Sequence, residues 1–171
     1  MSRDARFVPG VMFDWMGTLY DPEAEELYPG VIEVLEHLKV AYYRRGIVSI
    51  VRIDIKKECL DQIERTGASS YVSDVLVTRE RDKFFVCNEL LNLWGIDPQY
   101  LYVVDDRCAP RRSLHWGSIV GANLVWMRRG RYKDEMPIGY EVTHVITDIR
   151  ELPAVLNLPP IAICRRRNSL N

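Results

Sequence analysis

The chain has 171 residues, a formal net charge of −1 and an apolar content of 47%. A chain of this length can bury the core of one domain without cross-links. The nearly neutral charge gives no overall reason to expect binding to nucleic acid or to a membrane. The four cysteines are widely spaced and include no Cys-x-x-Cys pair, so the sequence predicts neither a zinc site nor a disulfide framework.

The apolar segments of the chain are short. Residues 1–7 are too polar for the apolar part of a secretory signal, and charged residues interrupt every apolar run well before it could span a membrane. We therefore expect a cytoplasmic protein with reduced thiols and no membrane partner.

Apolar runs alternate with amphipathic stretches, which is typical of a parallel β-sheet covered by helices. Strands are predicted at residues 11–14, 47–51, 75–77, 101–104, 122–127 and 144–146. Helices are predicted at residues 31–45, 56–65, 84–94, 112–119 and 149–156, the first of them ending at Gly46. The pattern favours a Rossmann-like three-layer α/β/α sandwich over residues 1–158, followed by a basic, flexible tail at 159–171.

The most informative segment is Asp14-Trp15-Met16-Gly17-Thr18, which follows the apolar residues of the first strand. Ligands of open α/β sheets lie beyond the carboxyl ends of the strands, so Asp14 is expected where chemistry occurs. A carboxylate there can be a covalent nucleophile, a ligand of Mg²⁺, or both. The alternative is an aspartate that only stabilises a turn.

Three other polar positions fall at the same edge of the predicted sheet. Asp105 and Asp106 end one strand, Ser49 lies at the end of another, and Lys83 begins a helix. Carboxylates held together repel one another unless a cation is present, which favours a hard ion such as Mg²⁺. A hydroxyl and an ammonium group suit the oxygens of a phosphoryl group.

These residues make the sequence resemble the haloacid dehalogenase superfamily, which has four motifs in a fixed order. Motif one, an apolar strand ending in Asp-x-Asp-Gly-Thr, corresponds to residues 14–18, with Met16 in place of the second aspartate. Motif two corresponds to Ser49, motif three to Lys83, and motif four to Asp105-Asp106. The resemblance extends over roughly residues 8–155.

The resemblance implies a role for each matching residue. Asp14 is expected to be the nucleophile, to form an aspartyl-phosphate and to ligate Mg²⁺. Asp106 is expected to be the principal metal ligand of motif four, and Asp105 a further ligand or a group behind it. Ser49 is expected to bind the transferring phosphoryl group, and Lys83 to neutralise its charge and hold Asp14.

Met16 is the departure from the family pattern. Its backbone carbonyl can still complete the metal site, but its side chain cannot act as the general acid and base that the second aspartate provides. We therefore expect a slow or redirected Mg²⁺-dependent phosphatase-like hydrolase, with a catalytically inactive binding or regulatory protein as the alternative. Phosphonate hydrolases and haloacid dehalogenases also lack that aspartate, but they rely on a cap domain.

The spacing of the motifs leaves no room for a large cap. Pro29 follows Asp14 by only 15 positions, and the segment from Ser49 to Lys83 holds one helix and one strand. The resemblance then implies an open site for bulky or macromolecular phosphoesters.

Arginines follow the fourth and fifth main strands, and we call them the arginine rim. Its members are Arg107, Arg111, Arg112, Arg128, Arg129 and Arg131. Guanidinium groups bind phosphates bidentately, so Arg107, Arg111 and Arg128, together with Thr18 of motif one, are expected to contact a phosphorylated and possibly polyanionic substrate, nucleic acid included. The alternative is a solvated loop surface.

Overall fold

The structure is a computed structural model that describes residues 8–79 and 82–161, without the side chain of Ile53. The three arginines of the predicted basic tail, at 165–167, lie outside the described residues. Of that tail only residues 159–161 are described, and Ile161 packs against the core.

Strands and helices alternate as the sequence predicts. The strands are β1 (Gly10–Phe13), β2 (Tyr20–Asp21), β3 (Glu26–Leu27), β4 (Arg44–Ile50), β5 (Asp74–Thr78), β6 (Leu101–Asp105), β7 (Asn123–Met127) and β8 (His144–Ile146). The helices are α1 (Val31–Val40), α2 (Lys56–Arg65), α3 (Phe84–Trp94), α4 (Ser113–Val120) and α5 (Leu152–Val155). In the described part of the chain no helix is long and apolar enough to cross a membrane.

Six of the strands form one sheet in the order β5-β4-β1-β6-β7-β8, and each neighbouring pair is parallel. The chain therefore has the Rossmann-like α/β fold predicted from the sequence. The order reverses at β1, where the chain first builds outward through β4 and β5 and then returns to add β6, β7 and β8 on the other side. Ligands of such sheets bind at this reversal.

The sheet separates two apolar clusters, which explains why β1 is apolar at every position. Val11 and Phe13 point into a cluster that contains residues of α1, α2 and α5. Met12 points into the opposite cluster with residues of α3 and α4, such as Leu90 and Trp116. Successive residues of a strand face opposite sides of the sheet, so a central strand covered on both sides is apolar throughout.

The segments that follow β1 and β4 are short. Between β1 and α1 the chain forms the antiparallel hairpin β2–β3, with Tyr20 paired to Leu27. Between β4 and β5 it forms only α2 and two 3₁₀ turns.

The end of the first helix differs from the prediction. α1 ends at Val40, not at residue 45, and Gly46 lies inside β4. A β-carbon on Gly46 would lie 2.7 Å from Cζ2 of Trp94 and 2.8 Å from Cδ2 of Leu90. The glycine therefore lets α3 pack closely on the sheet and is not a helix terminator.

Candidate metal centre

Three aspartates meet where β1 and β6 end side by side. Phe13 pairs with Val104, and the Asp14 N–H donates to the Val104 carbonyl at 2.9 Å, so Asp14 and Asp105 leave the sheet next to each other. One carboxylate oxygen from each of Asp14, Asp105 and Asp106 lies within 4.8 Å of the other two. All three residues are buried.

Lys83 provides the positive charge of this cluster. It is only 1% exposed, and its ammonium group donates to Oδ1 of Asp14 and, at 3.0 Å, to Oδ2 of Asp105. Burial by itself would lower the pKa of Lys83, but the charges of Asp105 and Asp14 outweigh burial and raise it. Lys83 is therefore a cation that bridges motifs one and four.

One ammonium group does not balance three carboxylates. Burial, reinforced by the charges of Asp14 and Asp105, raises the pKa of Asp106 to about 9. Burial also raises the pKa of Asp14, although Lys83 opposes it. Burial acts in the same direction on Asp105, but the charge and hydrogen bond of Lys83 and the Arg107 N–H together outweigh it and lower the pKa of Asp105. The excess negative charge is of the kind that a divalent cation neutralises.

The turn of motif one is fitted closely around Asp106. Gly17 has φ +82°, and a β-carbon there would lie 2.8 Å from Cγ of Asp106. The Thr18 hydroxyl donates to Oδ2 of Asp14 at 3.3 Å and accepts the Asp106 N–H at 3.0 Å. Thr18 was expected to contact substrate, but it is fully buried and its hydroxyl joins the two aspartates.

The two residues between Asp14 and Gly17 pack against the apolar interior. Trp15 is fully buried, stacks on Tyr20 with ring centroids 5.3 Å apart, and donates from Nε1 to the Gln62 side chain at 3.4 Å. Met16 is half-buried and packs against the same cluster. No titratable side chain therefore occupies the position of the motif-one general acid.

Ser49 lies in β4, the strand next to β1, and is 1% exposed. Burial raises the pKa of the Cys59 thiol on the neighbouring helix α2 to about 11, and Ser49 opposes this shift. The structure thus places Ser49 at the expected edge of the sheet, near α2.

Two members of the arginine rim are bound within the protein. Arg107 donates from Nε and Nη2 to the carboxylate of Glu135 and stacks over the Tyr132 ring. Arg129 donates to the carbonyls of Gly17 and Thr18. Both guanidinium groups therefore have partners within the protein, and the contact of Arg107 with a substrate stays a prediction.

The other rim residues named for substrate contact are exposed. Arg111 has φ +67°, and its carbonyl accepts the Lys83 N–H at 3.0 Å. Arg128 donates from Nε to the carbonyl of Lys133 at 2.9 Å, with its guanidinium 5.3 Å from the Trp126 ring centre. Both side chains remain open to solvent.

Comparison of the sequence with protein-family models and with curated proteins found no match. Comparison of the structure with solved structures found many. A haloacid dehalogenase-like hydrolase from Xanthomonas campestris superposes with a TM-score of 0.69 at 12% identity, covering 88% of this chain and 95% of that one. D,D-heptose 1,7-bisphosphate phosphatase from B. bronchiseptica, solved with magnesium and phosphate, has a TM-score of 0.71 at 14% identity, covering 88% and 98%.

A haloacid dehalogenase-like hydrolase from Streptococcus pneumoniae is similar at a TM-score of 0.66 and 12% identity, covering 87% of this chain and 98% of the other. These structures match the chain over nearly their whole length, and their sequence identities are too low to compare substrates. Together with the strand order and the aspartates at the ends of β1 and β6, they show that the chain has the fold of the haloacid dehalogenase superfamily.

Proposed function

We propose that the chain is a Mg²⁺-dependent phosphatase-like hydrolase that acts through an aspartyl-phosphate on Asp14. The observation that carries the proposal is the buried Asp14 carboxylate, which Lys83 holds beside Asp105 and Asp106 at the strand ends. Magnesium and phosphate in the heptose bisphosphate phosphatase structure support the same chemistry for this fold.

The donor set fits Mg²⁺. It offers several carboxylate oxygens in a small buried space, and their charge exceeds what Lys83 neutralises. Asp14, Asp106 and the Met16 carbonyl would hold the ion, with Asp105 as a further ligand or as the partner of Lys83. When bound, Mg²⁺ neutralises charge on the phosphoryl oxygens.

The proposed reaction has two displacements at phosphorus. The Asp14 oxygen that attacks forms a bond to phosphorus as the bond from phosphorus to the ester oxygen breaks. Lys83 keeps Asp14 oriented and stabilises charge on the phosphoryl group, and Ser49 would donate a hydrogen bond to it. Water then attacks the phosphorus of the aspartyl-phosphate and releases phosphate and the free Asp14 carboxylate.

Met16 affects both proton transfers in this sequence. The ester oxygen needs a proton as it leaves, and the attacking water must lose one, but a thioether can do neither. General acid-base catalysis contributes roughly 10²–10⁴-fold. We therefore expect slow turnover of alkyl phosphates and faster phosphorylation of Asp14 by aryl phosphates, whose phenolate leaves without a proton.

The same observation favours a second candidate function. If neither proton transfer is replaced, the fold and the metal centre would serve to bind a phosphorylated ligand without turnover. The partner proposed for both functions is a phosphorylated molecule, bulky or polyanionic, that contacts the exposed arginines Arg111 and Arg128.

A phosphoester screen with and without Mg²⁺ distinguishes the two functions. The phosphatase proposal predicts Mg²⁺-dependent release of a phenol from an aryl phosphate, with an initial burst as the aspartyl-phosphate accumulates. Asp14→Asn should abolish the burst. Mg²⁺ binding with no burst and no turnover in the wild type would support the binding protein instead.

A further inference from the structure

The chain that follows β7 contacts both loops of the metal centre. We call residues 128–140 the clasp. The two loops are the turn of motif one, which carries Gly17 and Thr18, and the loop of motif four, which begins at Asp106. Residues of the clasp hold both loops through polar side chains.

Arg129 holds the first loop. Its guanidinium donates to the carbonyls of Gly17 and Thr18, and it lies 3.5 Å from the centre of the Tyr28 ring. The side chain is half-buried, and this burial lowers the pKa of the guanidinium. A group fixed on three sides by the protein is poorly placed to bind a substrate anion, so its contacts point to a role in fixing the turn.

Glu135 and Tyr140 hold the second loop. The Glu135 carboxylate accepts the N–H groups of Cys108 at 2.7 Å and Ala109 at 3.0 Å, together with the side chain of Arg107. The Tyr140 hydroxyl donates to the Cys108 carbonyl at 2.8 Å. These bonds fix the backbone directly after Asp105 and Asp106.

The two loops need such a restraint because their carboxylates repel each other when no cation is bound. Besides the clasp, Lys83 bridges Asp14 and Asp105, and the Thr18 hydroxyl connects the loops through its bonds to Asp14 and to the Asp106 N–H. Hydrogen bonds that involve a charged group are stronger than hydrogen bonds between neutral groups. The guanidinium and carboxylate bonds of the clasp are of the stronger kind.

We propose that the clasp keeps the two loops at the separation that the metal centre requires, with Arg129 and Glu135 as its positioning residues. Neither residue touches the substrate in this account. Arg129 acts through the Gly17–Thr18 turn, and Glu135 acts through the backbone at Cys108 and Ala109. The consequence for Mg²⁺ rests on the proposed function, but the restraint itself does not.

Amide hydrogen exchange in the metal-free protein tests the restraint. Arg129→Met should speed exchange at the Asp106 N–H by roughly tenfold or more, because the Thr18 hydroxyl that accepts it is no longer held in place. Arg129→Lys, which keeps the charge but not the bidentate geometry, should show the same effect at a smaller size. Arg45→Met is the matched control, because half-buried Arg45 also donates to two backbone carbonyls, those of Tyr43 and Tyr71, but lies near the start of β4, at the opposite edge of the sheet.

Mg²⁺ titration of the same variants by calorimetry tests the consequence. Arg129→Met and Glu135→Gln should each weaken Mg²⁺ binding by roughly tenfold, and Arg45→Met should leave it unchanged. Unchanged exchange at Asp106 in both Arg129 variants would overturn the clasp. Arg129→Met and Glu135→Gln variants that bind Mg²⁺ as tightly as Arg45→Met would also overturn it. If the wild type binds no Mg²⁺, the proposed function fails, and the exchange experiment still decides whether the clasp exists.

Discussion

Gly17 and Asp106 are in such close contact that no side chain fits between them: a β-carbon at residue 17 would lie 2.8 Å from the Asp106 Cγ, and the φ of +82° disfavours any residue with a β-carbon. Gly17→Ala should therefore displace the Asp106 carboxylate and weaken Mg²⁺ binding by at least roughly tenfold, as measured by calorimetry. Gly67→Ala is the control for φ alone, since Gly67 has φ +78° with nothing within 4 Å. Equal Mg²⁺ affinity in the two variants would show that the contact with Gly17 does not fix the position of the Asp106 carboxylate.

Asp106 should make the metal-free protein less stable as the pH rises. Its pKa is raised from 3.8 to about 9 in the folded protein, so the folded state binds a proton that the unfolded state has lost. The stability this group contributes is fully present below about pH 4 and decreases up to about pH 9. Asp106→Asn should therefore raise the melting temperature near pH 8 by several degrees and much less near pH 5.

With Mg²⁺ bound, the wild type should be more stable than Asp106→Asn. Added Mg²⁺ is expected to raise the melting temperature of the wild type by linkage, and Asp106→Asn should remove the rise. The measurement is thermal unfolding at both pH values with millimolar Mg²⁺ or with a chelator. A variant that is less stable than the wild type at pH 8 without metal would show that Asp106 is not under electrostatic strain.

Lys83 is predicted to stabilise the fold as well as the site. Lys83→Met leaves Asp14 and Asp105 without their buried partner, and removal of one member of a buried ion pair destabilises by about 3–5 kcal/mol. Denaturant unfolding measures the loss, with the exposed Lys57→Met as the control. A loss below roughly 1 kcal/mol would mean that the two carboxylates find other compensation.

The exposed part of the arginine rim is predicted to bind a polyanion. The pair Arg111→Asn and Arg128→Gln should weaken binding of a phosphopeptide or an oligonucleotide and flatten its dependence on salt. Asparagine is chosen at 111 because it tolerates the φ of +67°. Arg65→Gln with Arg150→Gln removes the same charge elsewhere and should have little effect; an equal loss in both pairs would indicate only nonspecific attraction.

The fold was predictable because its signals are local. Apolar runs of strand length, with an aspartate directly after two of them, were enough to place Asp14 and Asp105 at one sheet edge. The end of α1 was not predictable in the same way, because Gly46 was interpreted from its neighbours along the chain. A glycine is needed at position 46 because Trp94, 48 positions away in the sequence, packs against it in the fold.

The contacts of the clasp were also not predictable from the local sequence. Arg107 and Arg129 have the sequence context of solvent-exposed loop arginines, and their partners, Glu135 and the Gly17 and Thr18 carbonyls, are distant in sequence or belong to the backbone. Glu135 lies in a loop with no periodic pattern, so the sequence gives no signal for its role. Pairings of this kind depend on tertiary positions alone.

The proposed function depends most on Met16, the residue that departs from the family pattern. If Asp14, Lys83 and the metal ligands are intact and only the acid-base group is missing, Met16→Asp restores that group on the turn that carries it. The most direct measurement is the Mg²⁺-dependent hydrolysis rate of an alkyl phosphate by Met16→Asp compared with the wild type. We predict an increase of roughly 10²-fold or more; a folded Met16→Asp protein that binds Mg²⁺ and gains no activity would contradict the account.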